Sequence, residues 1–416
     1  MRILSVVQRY GNDVGGGAER SCAELAERLM MRGHAVEVLT TDAVTYGDWQ
    51  PGFSSGRSVE NDVVVHRLPV TTRMNAATFE PLNQRVIGAA FQGRHVPMFV
   101  QREWLQALGP VMTGIGDWVD ANVERFDVIC VHTLGYWHAT AAITAIGGRR
   151  PVVLHPLAHD EPNLALPIFD AALRGADGFA FLTPEEQTLI ERRAGRARPA
   201  AVIGLGIEPP ALLDDHARRS IRSRLGLGES EAFLLCAGRV DHDKGVHALA
   251  AMWVQAPRGE RPVLVVAGEI VHSLAASDVV RVVGALTRDE LAASMAEAVA
   301  VVHPSPFESF AIVLAEAWAQ GTPTLVNASC DVLVGQCRRS GGGLAWHDLA
   351  ELEEQTEALC ASPQLRAVLG ERGRQAVVER MRWVDTMDRY EALLERVVLG
   401  PDVDPEGVAS VNRGVP

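Results

Sequence analysis

The chain has 416 residues, 47% of them hydrophobic and 22% charged, which fits two α/β domains and excludes a largely disordered protein. Its formal charge of −13, from 39 basic and 52 acidic residues, makes nucleic acid a poor partner. No apolar run approaches the ~18 residues that cross a bilayer, and Arg9 cuts the first apolar stretch short, as in a first strand and not a signal peptide.

Strands are predicted at 3–7, 35–40, 63–68, 127–132, 152–155, 178–183 and 201–204. Helical patterns lie between several of them, at 18–32, 97–122, 136–146, 163–173 and 184–193. The segment 45–101 mixes Gly, Phe and Arg without a recognisable pattern. The alternation pauses at 204–210, where two glycines and two prolines read as a linker. It resumes with strands at 233–238, 263–268, 280–283, 299–303 and 324–327, and helices at 215–225, 246–255, 288–298 and 310–320. Long helices at 349–361, 364–380 and 385–398 close the chain, and the tail 401–416 reads as disordered. Near-continuous apolar strands alternating with helices mean parallel sheets covered on both faces, hence two doubly wound Rossmann-like domains. Ligands of such sheets bind beyond the carboxyl ends of the strands, so the informative residues are those just after strands.

The six cysteines are scattered and form no C-x-x-C pair. That points to reduced thiols in a cytoplasmic compartment, with neither a disulfide scaffold nor a zinc site. Lys244 is the single lysine, against 38 arginines. Codon bias explains the deficit but not the survivor. A lone lysine suits a place where a compact ammonium fits and a forked guanidinium does not.

Four clusters follow predicted strands. The first is Asp13-Val-Gly-Gly-Gly-Ala-Glu19, where glycines and a helix start offer N–H groups to an anion. Arg20 takes the third glycine position of a dinucleotide fingerprint, while Asp42 ends the second strand where such an enzyme holds ribose. A nicotinamide-dependent oxidoreductase therefore stays open as an alternative. The second cluster, Gly238-Arg-Val-Asp-His-Asp-Lys-Gly245, sets Arg239 and Lys244 before a helix, a combination suited to a diphosphate. The third runs from His303 through Glu308 to Glu316. Were the whole span helical, these carboxylates would lie ~12 Å apart. That exceeds the ~5–9.5 Å of a glycosidase pair and implies contact with two parts of one elongated ligand. The fourth, after 152–155, carries His155 and His159 beside Asp160 and Glu161. Histidines there could bond a sugar hydroxyl or phosphate, or move a proton. The basic stretches 192–198 and 218–224 read as solvated faces, the alternative being a weak peripheral membrane contact or an anionic acceptor patch.

In this order the clusters resemble the retaining glycosyltransferases of family 4 (glycosyl transferases group 1), which have the GT-B architecture. The carrying residues are G-G-G-A-E at 15–19, G-R-x4-K-G at 238–245 and E-x7-E at 308–316, flanked by L-A-E-A-W-A-Q-G-T-P and S-G-G-G-L. The resemblance implies two Rossmann-like domains facing across a cleft. Residues 1–206, with a crossover helix at 384–400, would be the acceptor-binding domain, and 207–383 the donor-binding domain. It implies that Arg239 and Lys244, with the Gly16–Gly17 loop and the helix start at Phe310, Ala311 and Ile312, hold the donor diphosphate. Glu316 would bind the ribose, and Glu308 would contact the donor sugar near the reacting carbon. His159, with His155 second, would sit near the transferred sugar. Ser309 and Ala311 stand where the family often has glycine, and Ala311 narrows the space for phosphate. The implied reaction is metal-independent, cofactor-free transfer from a nucleotide sugar to a hydroxyl on a small molecule, glycan or lipid-linked acceptor. A sugar-nucleotide epimerase of the same architecture and a non-catalytic sugar-nucleotide binder are the alternatives.

Overall fold

The alternation of strands and helices is realised in a computed structural model that describes residues 1–12, 14–195, 197–208, 215–255 and 261–400. The tail at 401–416 lies outside the described residues, as do 209–210 of the linker pattern. Two units form, Met1–Gly204 with the chain from Thr386 onward, and Leu205–Asp385.

The first unit contains β1 (Arg2–Val6), β2 (Ala35–Thr41), β3 (Gly56–Glu60), β4 (Val63–Leu68), β5 (Val70–Thr72), β6 (Val111–Met112), β7 (Val128–His132), β8 (Val152–His155), β9 (Gly178–Phe181) and β10 (Ala200–Val202). Eight of these make one sheet in the order β10-β9-β8-β7-β1-β2-β4-β3, while β5 and β6 pair separately. All neighbours are parallel except β3 on β4. Strands β7, β8 and β9 are buried at every position, which is why they read as unbroken apolar runs. The edge strand β3, Gly-Arg-Ser-Val-Glu, is mostly exposed and carries no apolar signal, so the sequence pattern passes over it.

The second unit contains β11 (Phe233–Ala237), β12 (Val263–Ala267), β13 (Val280–Gly284), β14 (Ala300–His303), β15 (Thr324–Asn327) and β16 (Gly343–Trp346). They form one parallel sheet in the order β13-β12-β11-β14-β15-β16. This is the doubly wound 3-2-1-4-5-6 order, with its switch point between the first and fourth strands.

Several predicted helices change. The long pattern at 97–122 divides into Met98–Leu108 and Ile115–Asn122, because Gly109-Pro110 intervenes and proline cannot continue a helix. The pattern at 163–173 resolves into two 3-10 turns, each opened by proline, and a short helix Asp170–Gly175. Helices Ala76–Phe91 and Asp331–Ser340 are additional. The final helix, Trp383–Leu399, starts in the second unit and from Thr386 belongs to the first. There it is fastened by Arg32 to Asp388 at 2.6 Å, by His34 to Glu391 at 2.8 Å, and by Arg389 to the Ile203 carbonyl at 2.6 Å.

The basic stretches are not simply solvated faces. Arg193 bonds Asp170 and the Leu166 carbonyl, Arg198 the Leu173 carbonyl, and Arg222 the Gly228 and Glu231 carbonyls. These guanidiniums tie loops to their neighbours, because a five-donor fork satisfies several carbonyls at once. No helix among the described residues is long and apolar enough to cross a membrane.

Candidate functional site

In the second unit, the switch point between β11 and β14 brings together the loops at 238–245 and 304–311. They approach closely at Gly245, which has φ +71°. A Cβ there would lie 2.7 Å from the Pro304 carbonyl oxygen, so only glycine permits this contact. The 304–311 loop is fixed at both ends. Asn327 Nδ2 donates to the Pro304 carbonyl at 2.9 Å, and the Gln336 amide donates to the Phe310 carbonyl.

Across these loops Lys244 Nζ donates to Glu308 Oε1 at 2.7 Å, and His303 Nε2 lies 3.0 Å from the same oxygen. Both Lys244 and Glu308 are largely buried, with 26% and 11% of their side-chain surfaces exposed. Arg239 is held by Asp241, Nε to Oδ2 at 2.6 Å, and the other Asp241 oxygen accepts the Lys244 backbone N–H at 2.9 Å. Asp241 thus braces both cations of the loop. Asp241-His242-Asp243 is also a D-x-D spacing, which the metal-free reading overlooks. The Asp241 carboxylate is turned into the loop, and no group of three or more His, Cys, Asp or Glu side chains among the described residues is placed to hold a metal ion.

The helix after β14 is Ile312–Ala319, two residues later than its apolar pattern suggests. Phe310 and Ala311 are buried in its approach, and Ala311 is the N-cap with φ +59° and ψ +70°. Glu308 is therefore not helical, and the ~12 Å axial spacing from Glu316 does not apply. Glu316 is half-buried on the same helical face as Ile312, one turn into the helix. The first N–H groups of any helix lack intrahelical partners and carry its positive end, so the start at Ile312 favours an anion.

In the first unit the switch point lies between β1 and β7. After β1 the glycine loop leads into the helix Gly17–Met31, with Gly16 as its cap at φ +134°. The chain contributes Arg9 to this loop, a residue whose only sequence signal is a charge at the end of an apolar strand. Its guanidinium bonds Glu19, the Gly15 carbonyl at 2.6 Å and the Val44 carbonyl at 2.8 Å.

The two histidines after β8 separate. His155 is fully buried, with Nε2 2.8 Å from the Tyr390 hydroxyl and its ring stacked on His132 at 4.2 Å. Burial pushes its pKa down to about 3, so it is a neutral interior group. His159 is about 29% exposed, and its Nδ1 lies 2.7 Å from Glu161 Oε1. Asn163 Nδ2 donates to the other Glu161 oxygen at 3.1 Å. Beneath this loop the buried Glu186 accepts the Ala158 and Leu182 backbone N–H groups at 3.0 and 2.8 Å. Burial raises its pKa to about 7 despite those donors. Asp42, the residue of the nicotinamide alternative, gives one oxygen to the Val70 N–H at 2.9 Å and the other to Ser55 at 3.0 Å. Its carboxylate holds local loops.

The comparisons with known proteins agree with this architecture. The family model for glycosyl transferases group 1 matches residues 217–376, and that for the glycosyl transferase 4-like domain matches residues 16–206. A D-inositol 3-phosphate glycosyltransferase of Streptomyces bingchenggensis is 30% identical over 307 residues, covering 65% of this chain and 66% of its own length. Its counterpart from Nocardiopsis dassonvillei is 26% identical, covering 77% and 76%. Among solved structures, sucrose-phosphate synthase from Thermosynechococcus elongatus superposes with a TM-score of 0.70 at 18% identity, over 96% of this chain and 100% of that one. HepE of Anabaena, solved with UDP-glucose, superposes with a TM-score of 0.67 at 18% identity, over 95% and 99%. With one family model on each of two Rossmann-like units, the chain belongs to the glycosyl transferases group 1.

Proposed function

We propose that this protein transfers a sugar from a nucleoside-diphosphate sugar to a hydroxyl of a phosphorylated polyol or sugar, with retention at the anomeric carbon and without a metal ion. The observation that carries the reading is the Lys244–Glu308 contact at the β11/β14 switch point, ahead of the helix start at Ile312.

The leaving diphosphate gains negative charge as the glycosidic bond breaks. A fixed ammonium, a guanidinium at Arg239 and a helix N-terminus in a partly buried site stabilise that charge without reorganising. Lys244 has three donors, so its bond to Glu308 is compatible with further bonds to phosphate oxygens. Glu308, held by Lys244 and His303, would face the donor sugar, and Glu316 would take the ribose. The backbone at Phe310, Ala311 and Ile312 and the Gly16–Gly17 loop would contact phosphate. His159, with Nδ1 toward Glu161, would offer Nε2 to a sugar hydroxyl. Attack by the acceptor on the face that the diphosphate leaves gives retention, with the acceptor proton passing to the departing phosphate.

The named activity of the curated relatives supports a phosphorylated cyclic polyol as acceptor, and UDP-glucose is the natural first donor to test. The deciding experiment incubates the protein with UDP-glucose and inositol 3-phosphate in the presence of EDTA, and reads product and anomeric configuration by NMR. An α-linked product with EDTA-insensitive release of UDP is expected. Turnover at the wild-type rate by both Lys244→Met and Glu308→Gln would reject the site.

A further inference from the structure

We propose that the buried Arg9–Glu19 pair is a latch that positions the glycine loop and the segment after β2 for ligand binding, making Arg9 a positioning residue for the transfer reaction. The inference rests on the reading above, in which the Gly16–Gly17 loop borders the ligand.

The geometry is specific. Arg9 and Glu19 are 2% and 4% exposed, and Glu19 Oε1 receives both Nε at 3.0 Å and Nη2 at 2.9 Å. The remaining Arg9 bonds go to backbone carbonyls on two different segments, Gly15 before the helix and Val44 after β2. The guanidinium also lies over the Tyr46 ring, 5.4 Å from its centroid. One side chain thus joins the end of β1, the glycine loop, the first turn of the helix and the loop after β2. All four are at the carboxyl edge of this sheet. Glu19 completes the latch from the other side. Its Oε2 occupies the space beneath Gly16, only 2.2 Å from where a Cβ would stand. The glycine at 16 is therefore demanded by the carboxylate as well as by its φ of +134°.

A buried ion pair contributes little net stability, because desolvation offsets the attraction, and apolar replacements of similar volume are often neutral. Fold stability is a weak reason for placing this pair here. Holding two loops in register at a ligand edge is a better one, since a misplacement of about 1 Å costs ~100-fold in rate.

The test uses the full chain and three proteins: wild type, Arg9→Lys, and the double variant Arg9→Met with Glu19→Met. Lysine keeps the charge but cannot reach both carbonyls and Glu19 together. The double variant removes the pair without leaving a buried charge. Hydrogen–deuterium exchange without ligand should quicken in 14–20 and 43–50 in both variants, while the melting temperature stays within about 3 °C, or roughly a kcal/mol, of wild type. With UDP-glucose and inositol 3-phosphate, kcat/KM should fall by about tenfold or more, carried by KM. Unchanged exchange in both segments, or wild-type KM in Arg9→Lys, overturns the latch. Should the double variant not fold, Arg9→Lys alone decides. A wild-type protein that transfers nothing while its variants still lose order in 14–20 refutes the functional reading and leaves the latch standing.

Discussion

Lys244 and Glu308 stand 64 positions apart in sequence and 2.7 Å apart in space. Two parallel strands, β11 and β14, end side by side at the switch point and deliver one residue each. The contact explains why the chain's single lysine is where it is. A compact ammonium is held beside Glu308 where the two loops converge at Gly245 and Pro304. A guanidinium would spread its donors across a plane and displace one loop. Lys244→Arg should therefore lose transfer nearly as fully as Lys244→Met, each by about 100-fold or more in kcat/KM, the scale of removing a preorganised donor. Steady-state assays with UDP-glucose check this, and full activity in Lys244→Arg refutes the steric argument.

The two histidines after β8 make opposite predictions. His159→Ala should lower kcat by about 10²-fold or more, as expected for a lost proton or hydroxyl contact, with an unchanged melting temperature. His155→Ala should do the reverse. It empties a fully buried site and removes one partner of the Tyr390 hydroxyl, costing about 2–4 kcal/mol. Thermal melts and rates measured on the same samples separate the two. A stable, inactive His155→Ala would return that residue to the ligand.

Legibility followed exposure of the signal. The four loops after strands were visible because glycine, proline and charge cluster where apolar runs stop, and in an open parallel sheet those stops are the ligand edge. Lys244 and Glu308 stood out as charges in such loops. Arg9 and Glu186 did not, since both are buried and most of their partners are backbone groups brought up by the fold, which leave no mark in a sequence. His303 was seen as the end of β14, but its contact with Glu308 depends on how the loop folds back. His155 and His159 look alike four residues apart, and only packing against Tyr390 tells them apart. The 76–91 helix is illegible for a different reason. Pro81 lies inside it, and only Phe79 and Val86 are buried in it, so its apolar stripe is faint.

Acid should destabilise the first unit through its buried histidines. His155 and His138 have pKa values pushed down to about 3 and 4 by burial, and His132 is lowered by the same cause. Below pH 6.5 the unfolded chain binds protons that the folded chain refuses, so stability falls as pH falls from 6.5 toward 4. Glu186 works the other way. Its pKa is raised from 4.5 to about 7, so the folded state holds a proton that the unfolded state has lost, and stability falls as pH rises from 4.5 to 7. Three histidines outweigh one carboxyl, and the net slope between pH 4.5 and 6.5 is positive. Glu186→Gln should steepen that slope and raise stability at pH 8 relative to wild type. Urea melts at pH 5, 6.5 and 8 check both signs, and a wild type more stable at pH 5 than at 6.5 contradicts the assignment.

Ala311 offers a test at the donor side. It holds the left-handed conformation, φ +59°, at the cap of the Ile312–Ala319 helix, where an L-residue carries about 1–2 kcal/mol of strain. Ala311→Gly removes that strain but adds about 0.5–1 kcal/mol of unfolded-chain entropy. The difference favours glycine by up to about 1.5 kcal/mol, a rise of a few degrees at most in the melting temperature of a unit this size. The same substitution at Ala315, fully buried in the middle of that helix, meets no strain to relieve. It loses a packed methyl and costs about 1 kcal/mol in helix propensity as well. The two variants should therefore shift the melt in opposite directions, or leave Ala311→Gly level while Ala315→Gly falls. A smaller side chain at 311 also widens the approach to the first N–H groups of the helix, so KM for UDP-glucose should hold or drop. Equal destabilisation by both variants would mean that the loop does not adopt the left-handed turn in solution.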